Sequence, residues 1–198
     1  MLYLIDLSSM KNMGKTLTYQ TSAFNSCHMI FKDSINVGKL FKLEWIGSPV
    51  EATINDSKYK FFVKGFFNPT ISILDKDKNH NIGEVKVRSF FKFNPTANMI
   101  LADKKQYFWK IQGYFRYMWE WRNQGGSVIM KSSNKESHLF DNEGTIQLFE
   151  AITHEDLMVA LGIQLQQITQ RKNAFTQIIG LIGLIFFLLN QLSHLYLN

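Results

Sequence analysis

Short segments in which apolar and polar residues alternate recur along most of this chain, and a period of two is the mark of a half-buried β-strand. The clearest is Tyr114–Arg122 (YFRYMWEWR), where Phe115, Tyr117, Trp119 and Trp121 fall on one face. Arg116, Glu120 and Arg122 fall on the other, beside Tyr114 and Met118. Phe41, Leu43 and Trp45 alternate with Lys42 and Glu44, and Val85 and Val87 with Glu84, Lys86 and Arg88. Further strands are expected at Leu17–Phe24, Met29–Phe31, Val50–Ile54, Lys58–Val63, Thr70–Leu74 and Asn98–Ala102. Beyond these lie Gln106–Gln112, Ser127–Lys131, Ser137–Phe140 and Thr145–Ala151. Turn residues separate the runs, among them Gly47-Ser48-Pro49, Asn55-Asp56-Ser57 and Gly125-Gly126. About a dozen strands at spacings near ten residues predict a closed barrel or a sandwich, because an open sheet that wide leaves edges exposed. An aromatic content of 14% suits strands.

After Ala151 the period changes. Thr153-His154-Glu155-Asp156 reads as a helix start, with Thr153 as N-cap and two carboxylates at the positive end of the dipole. Leu157, Leu161, Leu165 and Ile168 follow at helical spacing, and Met158, Val159, Ala160 and Ile163 make the first half apolar all round. Such a helix is enclosed on every side. The expectation is a helix over 155–170, threaded into or packed across the strands.

From Asn173 onward the chain has no Asp, Glu, Lys or Arg, and the unbroken apolar run IIGLIGLIFFLL follows Arg171 and Lys172 with five residues between. Ala174–Leu197 as a helix would be roughly 36 Å long, enough to cross a bilayer core with tilt. A C-terminal transmembrane helix is therefore expected. Its lipid-facing residues would be Ile178, Ile179, Leu181, Ile182, Leu184, Ile185, Phe186, Phe187, Leu188 and Leu189. Arg171 and Lys172 would flank it on the cytoplasmic side. An apolar run of this length also fits a core helix or a helix packed on a partner. The expected organisation is an irregular lead-in over 1–15, a β domain over 16–172 and the anchor over 173–198.

Catalytic chemistry finds little footing. No P-loop, GxGxxG, GxSxG or HExxH pattern occurs, and the single cysteine, Cys27, excludes an internal disulfide or a cysteine zinc cluster. Asp75–Asn81 imitates an EF-hand start, but His80 stands where Gly is required and Lys86 where a bidentate Glu is required, so a polar hairpin turn is expected. No catalytic residue, metal or cofactor is assigned. What remains is a net charge of +6 and a basic set on neighbouring strands: Lys86, Arg88, Arg116 and Arg122. These could form a stripe that binds lipid headgroups, since basic residues near a membrane favour anionic lipid. Trp119 and Trp121 share the expected core face, which speaks against nucleic acid as a partner.

The order of elements, with strands joined by Asp/Asn-rich turns (ISILDKDKNHNIGEVKV) and then a terminal-side apolar helix (HEDLMVALGIQLQQI), resembles the LURP-one-related and tubby C-terminal-like superfamily, which includes the phospholipid scramblases. The resemblance covers about residues 16–170 and implies a mainly β fold: a twelve-stranded closed barrel around a buried hydrophobic helix. It also implies a membrane-associated or lipid-headgroup-binding module, often without catalysis. The tail Ala174–Leu197 lies outside that minimal fold. The expected function is thus a membrane-tethered, non-catalytic module at the cytoplasmic surface, with membrane lipid, a membrane protein or a second copy of the chain as partner. The alternatives are a scramblase-like or carrier protein that handles phospholipid or acyl chains, and an accessory subunit of a larger membrane complex.

Overall fold

The computed structural model describes residues 14–21, 27–42, 49–65, 68–88, 95–112, 118–134 and 142–196. Twelve antiparallel strands close into a barrel in which every strand pairs with its neighbours in sequence and β1 closes on β12. In chain order they are β1 (Thr16–Thr21), β2 (Cys27–Lys32), β3 (Ile35–Lys42), β4 (Val50–Ile54), β5 (Ser57–Lys64) and β6 (Thr70–Asp75). β7 (His80–Arg88), β8 (Thr96–Leu101), β9 (Gln106–Gln112), β10 (Met118–Arg122), β11 (Val128–Asn134) and β12 (Asn142–Leu148) complete it. Closure removes the edges that a sheet of this width would otherwise expose.

Turn chemistry sets the hairpins. Asp33 and Ser34 both take positive φ between β2 and β3, the backbone that a two-residue hairpin needs to match strand twist. Asp75 Oδ1 accepts from the backbone N–H of Asp77 and Lys78 at 3.0 and 3.1 Å, so the EF-hand-like stretch is the β6–β7 turn. Along β8 and β9 alternate residues turn inward, with Ala97, Met99, Trp109 and Ile111 all buried. On β10, Trp119 and Trp121 face the core at 1% and 0% exposure. Phe115, Tyr117 and the strand expected at Ser137–Phe140 lie outside the described residues.

Two expectations change here. β3 starts at Ile35, and its buried positions are Gly38 and Leu40, so Phe41 faces outward with the Lys39 ammonium 5.7 Å from its ring centre. Gly38 conceals this parity from the sequence: a Cβ there would stand 2.6 Å from Thr53 O, so close strand approach selects glycine. The helix also does not stop at 170. A single helix, α1 (Glu155–Tyr196), runs for 42 residues, with no proline between its ends to break it. Its first backbone bond runs from Met158 N to His154 O at 3.0 Å, which puts the cap one residue beyond Thr153.

The chain forms two compact units, Met1–Gly162 and Ile163–Asn198. In the first, the opening turns of α1 fill the barrel: Leu157, Met158, Val159, Ala160 and Leu161 are all at 0% exposure. Trp121 Nε1–H donates to Met158 O at 3.0 Å, so the indole both packs and is satisfied. Gly162 is forced by the same packing, since a Cβ there would meet the Trp119 ring at 2.4 Å. In the second unit Ile163, Leu165, Gln164 and Gln166 are buried, while Leu181–Phe187 are exposed at every position.

Candidate anion-binding groove

Register brings the outer side chains of β7 to β10 into two rows. Arg88 pairs with Thr96, Thr96 with Lys110 and Lys110 with Glu120. In the next row Lys86 pairs with Asn98, Asn98 with Phe108 and Phe108 with Arg122. β8 thus places two short polar residues, Thr96 and Asn98, between longer ones on both sides. A groove of about 260 Å³ follows, lined by Arg88, Thr96, Asn98, Phe108, Lys110 and Arg122, with Ala97 and Trp109 beneath.

Of the predicted stripe, Arg88 and Arg122 line this groove, and Lys86 stands in its second row. Arg116 lies outside the described residues. The described cations around the groove, Arg122, Lys86, Arg88 and Lys110, do not carry equal free charge. Arg122 donates from Nε and Nη2 to Glu120 Oε1 at 2.8 and 2.7 Å, and from Nη1 to Gly126 O at 3.1 Å. The Glu120 side chain is only 6% exposed, so its carboxylate is shielded and committed to Arg122. Lys86 meets Glu84 at 2.8 Å, an exposed pair of small worth. Arg88 and Lys110 are exposed and have no ion-pair partner among the described residues. At the floor, Asn98 Oδ1 is buried and accepts no hydrogen bond.

Sequence reasoning placed Glu120 on the outer face with Arg116 and Arg122, assigned it no partner, and left Thr96, Asn98 and Phe108 out of the site. The available signal was the alternation of small polar residues in Thr96-Ala97-Asn98-Met99 beside the basic strands. It becomes a groove only once pairing fixes who stands beside whom.

A second polar cluster ties α1 to the β4–β5 turn. Asn55 Nδ2 donates to Asp156 Oδ1 at 2.9 Å and Ser57 Oγ to Oδ2 at 3.4 Å, while Lys15 pairs with Glu155. Burial raises the Asp156 pKa above the ordinary aspartate value, and burial likewise raises that of Tyr59. On β4, hydrogen bonding from Lys76 holds the Glu51 carboxyl below its usual range. Among the described residues no three His, Cys, Asp or Glu side chains gather as a metal ion would need.

The expected transmembrane helix is not supported: among the described residues no helix is long and apolar enough to cross a membrane. The described apolar stretch is short, and the side chains of Arg171, Lys172, Ile178, Ile179, Leu188 and Leu189 lie outside the described residues. Leu181, Ile182, Leu184, Ile185, Phe186 and Phe187 are exposed, from 47% to 69%. No family model matches the chain, and neither curated proteins nor solved structures give a significant match.

Proposed function

We propose that this chain is a membrane-tethered, non-catalytic binding module that works at the cytoplasmic membrane surface and recognises anionic lipid or a membrane partner. The observation that carries this reading is the bare stretch Leu181–Phe187 of α1. Seven consecutive helical positions point in every direction around the axis, all seven are exposed, and all but Gly183 are large and apolar. A helix apolar and uncovered all round calls for an apolar surrounding medium. Arg171 and Lys172 on its N-terminal flank argue for a cytoplasmic barrel. Arg88 and Lys110, without an ion-pair partner among the described residues, supply a place for an anionic headgroup in the β7–β10 groove.

Twelve strands around an apolar helix that begins near residue 155 also support membership of the tubby C-terminal-like superfamily as part of this proposal. A carrier of acyl chains is the less favoured reading, because Leu157–Leu161 occupy the barrel interior where a cargo chain would lie.

Fractionation tests the proposal. The full chain should sediment with membranes and resist extraction by salt, whereas a chain ending at Lys172 should stay in the supernatant. A full-length protein that is monomeric and soluble without detergent would remove the tether.

A further inference from the structure

We infer that the barrel meets an anionic membrane surface end-on, through the rim at which β3, β5 and β7 finish and which carries Lys64 and Arg88. The inference rests on the tethered reading above and goes further by assigning the face that docks. Antiparallel pairing through all twelve strands gives the barrel two unlike ends. At one lie the hairpin turns 33–34, 55–56, 76–79, 102–105 and 123–127. α1 starts at this turn end, where Asp156 meets Asn55 and Ser57. By Gly162 it has reached Trp119, beside the first residue of β10 at the other end. The chain therefore runs on toward Leu181–Phe187 from the opposite rim, where β3, β5 and β7 close on Lys42, Lys64 and Arg88.

Charge separates the two ends. The turns hold Asp33, Asp56, Asp77 and Asp103, and among their lysines Lys76, Lys78 and Lys105 are ion-paired. At the opposite rim no strand begins or finishes on an acidic residue. Lys64 and Arg88 are exposed there and have no ion-pair partner among the described residues. The negative potential of a cytoplasmic leaflet attracts such a rim. The groove opens onto the same rim, since Arg88 ends β7 and Thr96 begins β8. In sequence, the stretches that join β3 to β4 and β9 to β10, whose joined ends belong to this rim, hold Trp45, Tyr114 and Tyr117. Trp and Tyr are enriched where protein meets a bilayer surface. The five turns at the other end hold no aromatic residue.

Two single-cysteine forms of the full chain test this, Asn68→Cys beside the rim and Gln124→Cys at the turn end, each in a Cys27→Ser background; both positions are exposed. Each cysteine carries a fluorophore, and vesicles of phosphatidylcholine and phosphatidylglycerol carry a nitroxide at headgroup level. The Asn68 label should be quenched, and the Gln124 label should keep the emission it has without nitroxide. Lys64→Ala and Arg88→Ala should each lower the ratio of docked to undocked barrel, read from Asn68 quenching, by about fivefold. Quenching at Gln124 that equals or exceeds that at Asn68, or quenching at neither, in a chain that sediments with the vesicles would overturn the end-on face and leave the tether standing. Asn68 quenching unchanged by both alanines would overturn it as well. A chain that stays in the supernatant would remove the tether and this inference with it.

Discussion

Two side chains decide how the barrel's surface and interior behave. Glu120 holds Arg122 with two N–H bonds on one oxygen, so it lowers the groove's net charge by one. Glu120→Gln should release the guanidinium, whose side chain is 41% exposed and can rehydrate. Binding to any anionic vesicle should then rise about fivefold with little preference among headgroups, as measured by sedimentation. In the interior, Gly162 is the informative position. Alanine in place of glycine inside a helix ordinarily stabilises by about 1 kcal/mol. Here the added Cβ would stand 2.4 Å from Trp119, and overpacking of that kind costs about 1–3 kcal/mol. Gly162→Ala should therefore lower the denaturant midpoint, and an increase would mean that the ring is free to move aside.

At the scale of elements, α1 and the strands differ in how far the sequence revealed them. Strand existence was legible wherever large residues alternated, as at Trp119 and Trp121 or Val85 and Val87. Parity was lost where a glycine stood in a core position, because Gly38 carries no hydrophobic signal and Phe41 beside it carries a misleading one. The start of α1 was legible from Glu155 and Asp156, but its length was not. The basic pair at Arg171 and Lys172 looked like a boundary, yet polar helix formers such as Gln, Lys and Arg continue a helix as readily as they end one. The first turn also gives α1 a pH signature. Burial makes the folded state prefer protonated Asp156. The stability this provides is complete below the unfolded pKa and is lost as pH rises through the folded value. Glu51 runs the other way, since its lowered pKa stabilises at higher pH and the benefit is lost on acidification. Asp156→Asn removes only the first effect. From about pH 4 upward, the thermal midpoint of wild type should fall relative to that of the Asn variant, and parallel profiles would show that Asp156 is not titrating differently in the fold.

Across the whole molecule, the two apolar helical stretches have opposite fates, and that difference can be tested in a single variant. Met158 and Leu161 are wholly buried within the barrel unit, whereas Phe186 and Phe187 are 69% and 59% exposed. A charge introduced at the first pair would have to be buried, and a charge at the second would meet water in the isolated chain. If Leu181–Phe187 enters lipid, the cost of a charge there appears only at the membrane, about 3 kcal/mol for each one placed near the centre of a span. The double substitution Phe186→Glu and Phe187→Glu should leave the unfolding midpoint of the barrel within the ~0.5 kcal/mol expected of an exposed site. It should also shift the protein from the membrane fraction to the supernatant. Loss of barrel stability in that variant would instead mean that these two rings pack against protein. A membrane fraction unchanged by two added carboxylates would mean that the attachment runs through the barrel surface, and the groove between Arg88 and Lys110 would then be the first place to look.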